Sequence, residues 1–206
     1  TSQETYGIAL GVSAGRTTQG SRAIAIGTDA GNDDQGERAV AVGNAAGFTS
    51  QQANCVAIGN LTGYTSQQSN CVAIGTEAGK TNQLSRAIAI GAFAGQASQD
   101  FHAVAIGAEA GMTRQTRGSV AVGYQAGKTS QESNCVAIGN GAGVTGQKLQ
   151  AVAIGYLAGQ STQGSYSVAI GDNAGATDQD SNCVAIGNLA GSATQGSRSV
   201  AIGVEA

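Results

Sequence analysis

The stretch N-C-V-A-I-G-N-L-T-G-Y-T-S-Q-Q-S, residues 54–69, is the unit from which this chain is built. The glycine of its A-I-G motif, Gly59, recurs every 16 residues from Gly11 to Gly203 without an insertion. Strict self-similarity at a fixed period is typical of solenoids, in which each repeat packs only on its neighbours. The sequence therefore predicts a single all-β domain over residues 1–206, a parallel β-solenoid of twelve to thirteen 16-residue rungs with two short strands each.

The composition is consistent with a thin core. The chain has three Phe, one Met and no Trp, and its hydrophobic fraction of 41% comes mainly from Ala, Val and Ile. Small and β-branched side chains suit narrow β-structures better than a globular core of this length. The repeat is already in phase at Gln3, and the sequence stops at Glu205-Ala206, midway through a thirteenth copy. We therefore expect the chain to be a window of a longer repeat array.

Charge and hydropathy argue against two classes of partner. The net charge is −3, and the ten Lys and Arg residues are scattered rather than clustered. Nucleic-acid binding requires a basic patch or stripe, so we predict no nucleic-acid partner. No apolar run approaches the roughly 18 residues that cross a bilayer, so we predict no membrane insertion.

Strand alternation divides the repeat into faces. Side chains in a strand point alternately to its two sides, so Val56 and Ile58 share one face and Cys55 and Ala57 share the other. Because Val and Ile are bulkier, we predict that Val56 and Ile58 face the core. An invariant glutamine lies eight residues after each anchor glycine, and its amide can bond to the copies above and below. The predicted glutamine ladder comprises Gln35, Gln51, Gln67, Gln83, Gln99, Gln115, Gln131, Gln147, Gln163 and Gln179.

The face with small residues is predicted to be an interface between chains. Its central column is Ala in all thirteen copies, and the column two residues earlier is Ala, Ser, Cys or Gly. Small side chains let two sheets or a threefold bundle approach closely. The alternative is that this Ala column reflects drift among recent duplications. The predicted oligomer interface comprises Ala25, Ala41, Cys55, Ala57, Cys71, Ala73, Ala89, Ala105, Ala121, Cys135, Ala137, Ala153, Ala169, Cys183 and Ala185.

These residues carry a resemblance to known repeats. The motif at residues 54–59, with a second glycine at Gly63, resembles the head-domain repeat of YadA-like trimeric autotransporter adhesins. It also resembles A-I-G-x-x-A-G-x-x-x-Q repeats in fibre proteins of giant viruses and tail-fibre-like proteins of phages. The resemblance covers essentially the whole chain and implies a left-handed β-roll that forms homotrimers. The longer period and the invariant glutamine favour the viral fibre type.

No residue pattern indicates a reaction. The four cysteines occupy one column of the repeat and lie along a line, whereas a zinc site needs converging ligands. They are interpreted as small apolar residues, with interchain disulfides as the alternative. His102 is the only histidine, and every constant polar position is repeated about a dozen times. We predict no enzyme activity, no catalytic residue, no metal site and no cofactor.

Two functions remain after these exclusions. The first is a structural shaft of an extracellular fibre or adhesin on a virion or cell surface, with itself as partner and a host receptor or glycan as a further ligand. The second is an ice-binding or other lattice-binding solenoid. Ice-binding solenoids present flat ranks of Thr, and here the single Thr column is interrupted at Asp33, Ala97 and Ala193.

Overall fold

The computed structural model describes residues 2–3 and 6–206. All its regular elements are short β-strands, and the described residues contain no helix. The predicted parallel β-solenoid with 16-residue rungs of two strands is confirmed. The chain divides into two compact units, Thr1–His102 and Ala103–Ala206.

The first unit contains thirteen strands in two parallel sheets. The glutamine sheet is formed by β1 (Ser2–Gln3), β3 (Thr18–Gln19), β5 (Asp33–Gln35), β7 (Thr49–Gln51), β9 (Thr65–Gln67), β11 (Thr81–Gln83) and β13 (Ala97–Gln99). The valine–isoleucine sheet is formed by β2 (Ile8–Leu10), β4 (Ile24–Ile26), β6 (Val40–Val42), β8 (Val56–Ile58), β10 (Val72–Ile74) and β12 (Ile88–Ile90).

The second unit repeats this arrangement. Its glutamine sheet contains β15 (Thr113–Gln115), β17 (Thr129–Gln131), β19 (Thr145–Gln147) and β21 (Ser161–Gln163), continued by single bridges at Gln179 and Gln195. Its valine–isoleucine sheet contains β14 (Val104–Ile106), β16 (Val120–Val122), β18 (Val136–Ile138), β20 (Val152–Ile154), β22 (Val168–Ile170), β23 (Val184–Ile186) and β24 (Val200–Ile202).

Register follows the sequence period in both sheets. Val56 pairs with Val72 in the valine–isoleucine sheet, and Gln67 pairs with Gln83 in the glutamine sheet. Each residue thus lies beside its own equivalent 16 positions later, and every repeat position forms a column along the unit. In the three-residue glutamine strands the middle residue has a positive φ and is exposed in most rungs, as in Ser66, whose φ is 55°.

The structure corrects the assignment of faces in the valine–isoleucine strands. Ala57 and Cys55 are fully buried inside the rung, whereas Val56 is half-buried and Ile58 is 38% exposed on the outside. The predicted core role of Val56 and Ile58 is therefore wrong. The predicted interface residues are likewise inside, with no surface to offer a second chain: Ala25, Ala41, Cys55, Ala57, Cys71, Ala73, Ala89, Ala105, Ala121, Cys135, Ala137, Ala153, Ala169, Cys183 and Ala185 are all 0% exposed.

The physical reason is the width of the interior. A methyl group added at Gly63 would lie 2.9 Å from Gln67 Oε1 and 3.2 Å from Ala57 Cβ, so the space between the sheets is already filled. A two-strand rung closes with room for Ala and one extended Gln, and β-branched side chains must point outward. The alternation of side chains between two faces was correctly predicted, but the assignment of the inner and outer faces was wrong.

Candidate functional site: an exposed valine–isoleucine face on a glutamine-laddered core

The glutamine ladder ties the two sheets together. Gln67 Nε2 donates to the carbonyl oxygen of Val56 at 3.1 Å, across the rung, and to Gln83 Oε1 at 2.9 Å, in the next rung. The same bond between successive glutamines runs from Gln19 to Gln99 in the first unit and from Gln115 to Gln195 in the second. These amides are almost fully buried, so each depends on its neighbours for hydrogen bonds.

A second inner column was missed in the sequence. The residue three after each anchor glycine is Ala except at Thr62, and it is buried in every rung from Ala30 to Ala190, as in Ala46 and Ala78. Thr62 compensates for its buried hydroxyl by donating from Oγ1 to the carbonyl oxygen of Gly75. The near constancy of this column was the available signal, because only a packed position restricts side-chain size so uniformly.

The cysteine column closes one turn of the rung. Cys55 Sγ donates to the carbonyl oxygen of Gln68 at 2.7 Å, and Cys135 Sγ donates to that of Lys148 at 2.7 Å. Ser119 makes the equivalent bond from Oγ to Glu132 at 2.8 Å. Cys and Ser are therefore equivalent in this column, because each is a small buried side chain that donates one hydrogen bond, a weak one from Cys and an ordinary one from Ser. Burial inside the rung leaves no route to an interchain disulfide, and all four cysteines are free.

Burial keeps reagents away from these thiols in the folded chain, since all four side chains are 0% exposed. Desolvation raises the pKa of Cys135 to about 11, and contact with Cys71 together with burial raises the pKa of Cys55, so these two also form less of the reactive thiolate. We expect a thiol-specific disulfide reagent at pH 8 to modify none of the four cysteines in the native protein within minutes and all four in denaturant. Absorbance of the released thiolate measures this. Rapid native labelling would contradict the buried placement.

The valine–isoleucine face is a continuous apolar feature on the surface of each unit. Each strand of that sheet points two Val or Ile side chains outward, apart from Leu10 in β2, and Ile58 and Ile138 are 38% and 39% exposed. Neighbouring rungs continue the same two columns in register. Apolar patches of this continuity mark interaction sites on soluble proteins. In complete rungs the face comprises Ile24, Ile26, Val40, Val42, Val56, Ile58, Val72, Ile74, Ile88 and Ile90 in the first unit, and Val104, Ile106, Val120, Val122, Val136, Ile138, Val152, Ile154, Val168, Ile170, Val184 and Ile186 in the second.

Most hydroxyls of the threonine column donate to a carbonyl oxygen of the next rung. Thr129 Oγ1 donates to the carbonyl oxygen of Val144 at 2.9 Å, and Thr177 Oγ1 donates to that of Ser192 at 2.8 Å. Thr65, Thr81 and Thr113 make longer bonds of the same kind. These hydroxyls therefore stabilise the stacking of rungs and do not stand free as a donor array for an ordered lattice of water.

The side chains that most often ligate metal ions are dispersed over the part of the chain that the structure describes. His102 is exposed at a turn with a φ of 61°. Over residues 2–3 and 6–206, no three His, Cys, Asp or Glu side chains form a group that could hold a metal ion. The same part of the chain has no helix long and apolar enough to cross a membrane.

Fold and surface define a class of protein, a structural β-solenoid repeat with one apolar face. The family of YadA head domain repeats matches residues 163–190 in two copies. This confirms, for that segment, the resemblance to YadA-like heads. Comparison with curated proteins and with solved structures found no match.

Proposed function

We propose that this chain is the repeat shaft of a fibre or adhesin exposed on a virion or cell surface, and that it self-associates as a homotrimer. The observation that carries the proposal is the valine–isoleucine face, which presents two apolar columns on one side of each unit. The YadA head family forms homotrimers, which supports the same mode of assembly. Its action is mechanical, and its ligands, a host receptor or glycan, would meet the variable outer columns.

Three chains can bury their valine–isoleucine faces against one another around a common axis. Such an arrangement would remove from water the side chains that a single chain leaves half-exposed, at roughly 25 cal/mol per Å² of apolar area. The interior of each rung then remains as it is, held by the glutamine ladder. The assembly thus places the interface on the opposite side of the strand from the column of Ala57.

Light scattering tests the proposal. We expect the parent protein to show three times the chain mass, and the variant Ile58→Arg with Ile138→Arg to show a single-chain mass, because charges buried in an apolar interface are strongly unfavourable. The matched control is Ser66→Arg with Thr162→Arg, which adds the same charge on the exposed column that already holds Arg114. A single-chain mass for the parent at every concentration would refute self-association.

A further inference from the structure

Two tyrosines of the second unit stand on one outer column. Tyr124 and Tyr156 each follow an anchor glycine directly, and they are 49% and 52% exposed. Asn140 occupies the rung between them and is also exposed. Backbone bonds fix this stacking: Gly141 N donates to Tyr124 O at 2.9 Å, and Leu157 N donates to Asn140 O at 2.9 Å. The column therefore alternates an aromatic ring, an amide and an aromatic ring.

A network of side chains holds the first ring in place. Gln125 Nε2 donates to Tyr124 Oη at 3.1 Å and to Glu109 Oε2 at 3.0 Å. Lys128 Nζ contacts the same carboxylate oxygen at 2.7 Å. These donors hold the pKa of Glu109 below its usual range, so the carboxylate stays ionised. A ring that is fixed before binding loses less side-chain entropy when a ligand covers it.

The spacing of the rings selects a ligand. Rungs of a parallel sheet lie about 4.8 Å apart, so rings two rungs apart are about 10 Å apart, close to the disaccharide repeat of an extended β-1,4-linked glycan. In such a glycan, alternate sugars turn the same apolar face to one side. Tyrosine rings offer flat apolar surfaces with a polar edge, and the amide of Asn140 can bond to the hydroxyls of the sugar between them.

We propose that Tyr124, Asn140 and Tyr156 form a binding site for an extended β-1,4-linked glycan. The exposed polar groups of the column distinguish it from the valine–isoleucine face, which has none. The column continues with the exposed side chains of Asp172 and Asn188, which extend the row of hydrogen-bonding groups. The site adds a ligand to the proposed shaft. It rests on that proposed function in one respect, since only an exposed shaft would meet glycans outside the cell.

Titration calorimetry with the full chain tests the site. We expect cellohexaose or chitohexaose to bind and maltohexaose, whose α-linkages curve the chain, to bind at least about tenfold more weakly. Tyr124→Ala with Tyr156→Ala should weaken binding by at least about tenfold. Tyr166→Ala is the matched control, since Tyr166 is equally exposed on a different column. Exchanging the middle and last residues, Asn140→Tyr with Tyr156→Asn, keeps the composition but halves the spacing, and should weaken binding as the double alanine variant does.

Three outcomes would overturn the proposal. They are absence of heat with both β-1,4 hexasaccharides at millimolar concentration, equal binding by the parent and the double alanine variant, and equal binding by the exchange variant. Circular dichroism and light scattering on the same samples show whether each variant keeps its fold and its mass. If the tyrosine substitutions change only the mass, the pair belongs to a contact between copies. A monomeric parent that still binds would contradict the trimer and leave the glycan site standing.

Discussion

Gln51→Glu is expected to destabilise the protein by about 3–5 kcal/mol at pH 7. Gln51 is fully buried, and its Nε2 donates to Val40 O at 3.0 Å and to Gln67 Oε1 at 3.1 Å. A carboxylate there has no hydrogen to donate and faces two acceptors in a site closed to solvent. Gln52→Glu is the matched control, because Gln52 is exposed and only accepts a bond from Ser69 Oγ at 3.0 Å.

The stability of the Gln51→Glu variant is expected to depend on pH. Burial beside two acceptors raises the folded-state pKa of the introduced carboxyl above its unfolded value of about 4.3. The folded state then binds the proton more tightly, so stability falls as pH rises through the raised pKa and is partly recovered below about pH 4. Recovery is incomplete, since a protonated carboxyl has one donor where the amide has two. Urea unfolding of both variants at fixed protein concentration measures this, and equal stability at pH 7 would show that the ladder is not a stabilising element.

The period alone predicted much of this fold. Because Gly59 recurs without an insertion, each strand must pair with its own copy 16 residues later, and the structure has that register throughout the described strand pairs. The invariant Gln67 also indicated an inner position, since a surface column would vary as Ser66 and its equivalents do. Register and repetition are properties of the chain itself, so they can be inferred without knowing the width of the rung.

Which face of each valine–isoleucine strand points inward could not be inferred in the same way. Val56 and Ile58 are larger than Ala57, and in a wide core larger apolar side chains are the buried ones. Here a rung of two short strands closes so tightly that Gly63 cannot accept a methyl group without contact near 3 Å to Gln67 and Ala57. Side-chain volume therefore determines which face is inside. The larger apolar side chains remain on the outer face, where another surface can cover them. The constant Ala column was a sign of this narrow interior.

The contacts of the outer surface required the three-dimensional structure. Tyr124 and Tyr156 each follow an anchor glycine and lie two periods apart, so the sequence places them in one column, but their exposure and their neighbours come from the structure. The bond from Gln125 to Glu109 crosses a rung boundary, and the same amide also donates to the neighbouring Tyr124. Side-chain networks of this kind depend on rotamers that the repeat does not specify.

Gly123→Ala is expected to destabilise the second unit by about 4 kcal/mol. Gly123 has a φ of +129°, a region that L-residues with a side chain rarely adopt, and an added Cβ would lie 2.5 Å from the carbonyl oxygen of Gly139 in the next rung. Both atoms of that clash belong to rigid parts of the ladder, so neither a rotamer change nor a small shift of one side chain relieves it. The substituted rung must open locally, which breaks its pairing on the Gly139 side.

Gly196→Ala provides the comparison for this effect. A methyl group at Gly196 would meet only Ser199 Oγ, at 4.0 Å, and no positive φ opposes it, so its effect should stay within about 0.5 kcal/mol. Thermal unfolding at equal protein concentration separates the two variants, and hydrogen exchange should show lost protection confined to the rungs around Gly123, because each repeat contacts only its neighbours. Equal melting temperatures for Gly123→Ala and Gly196→Ala would mean that the anchor position tolerates a side chain. The close approach of successive rungs would then not explain why this position is always glycine.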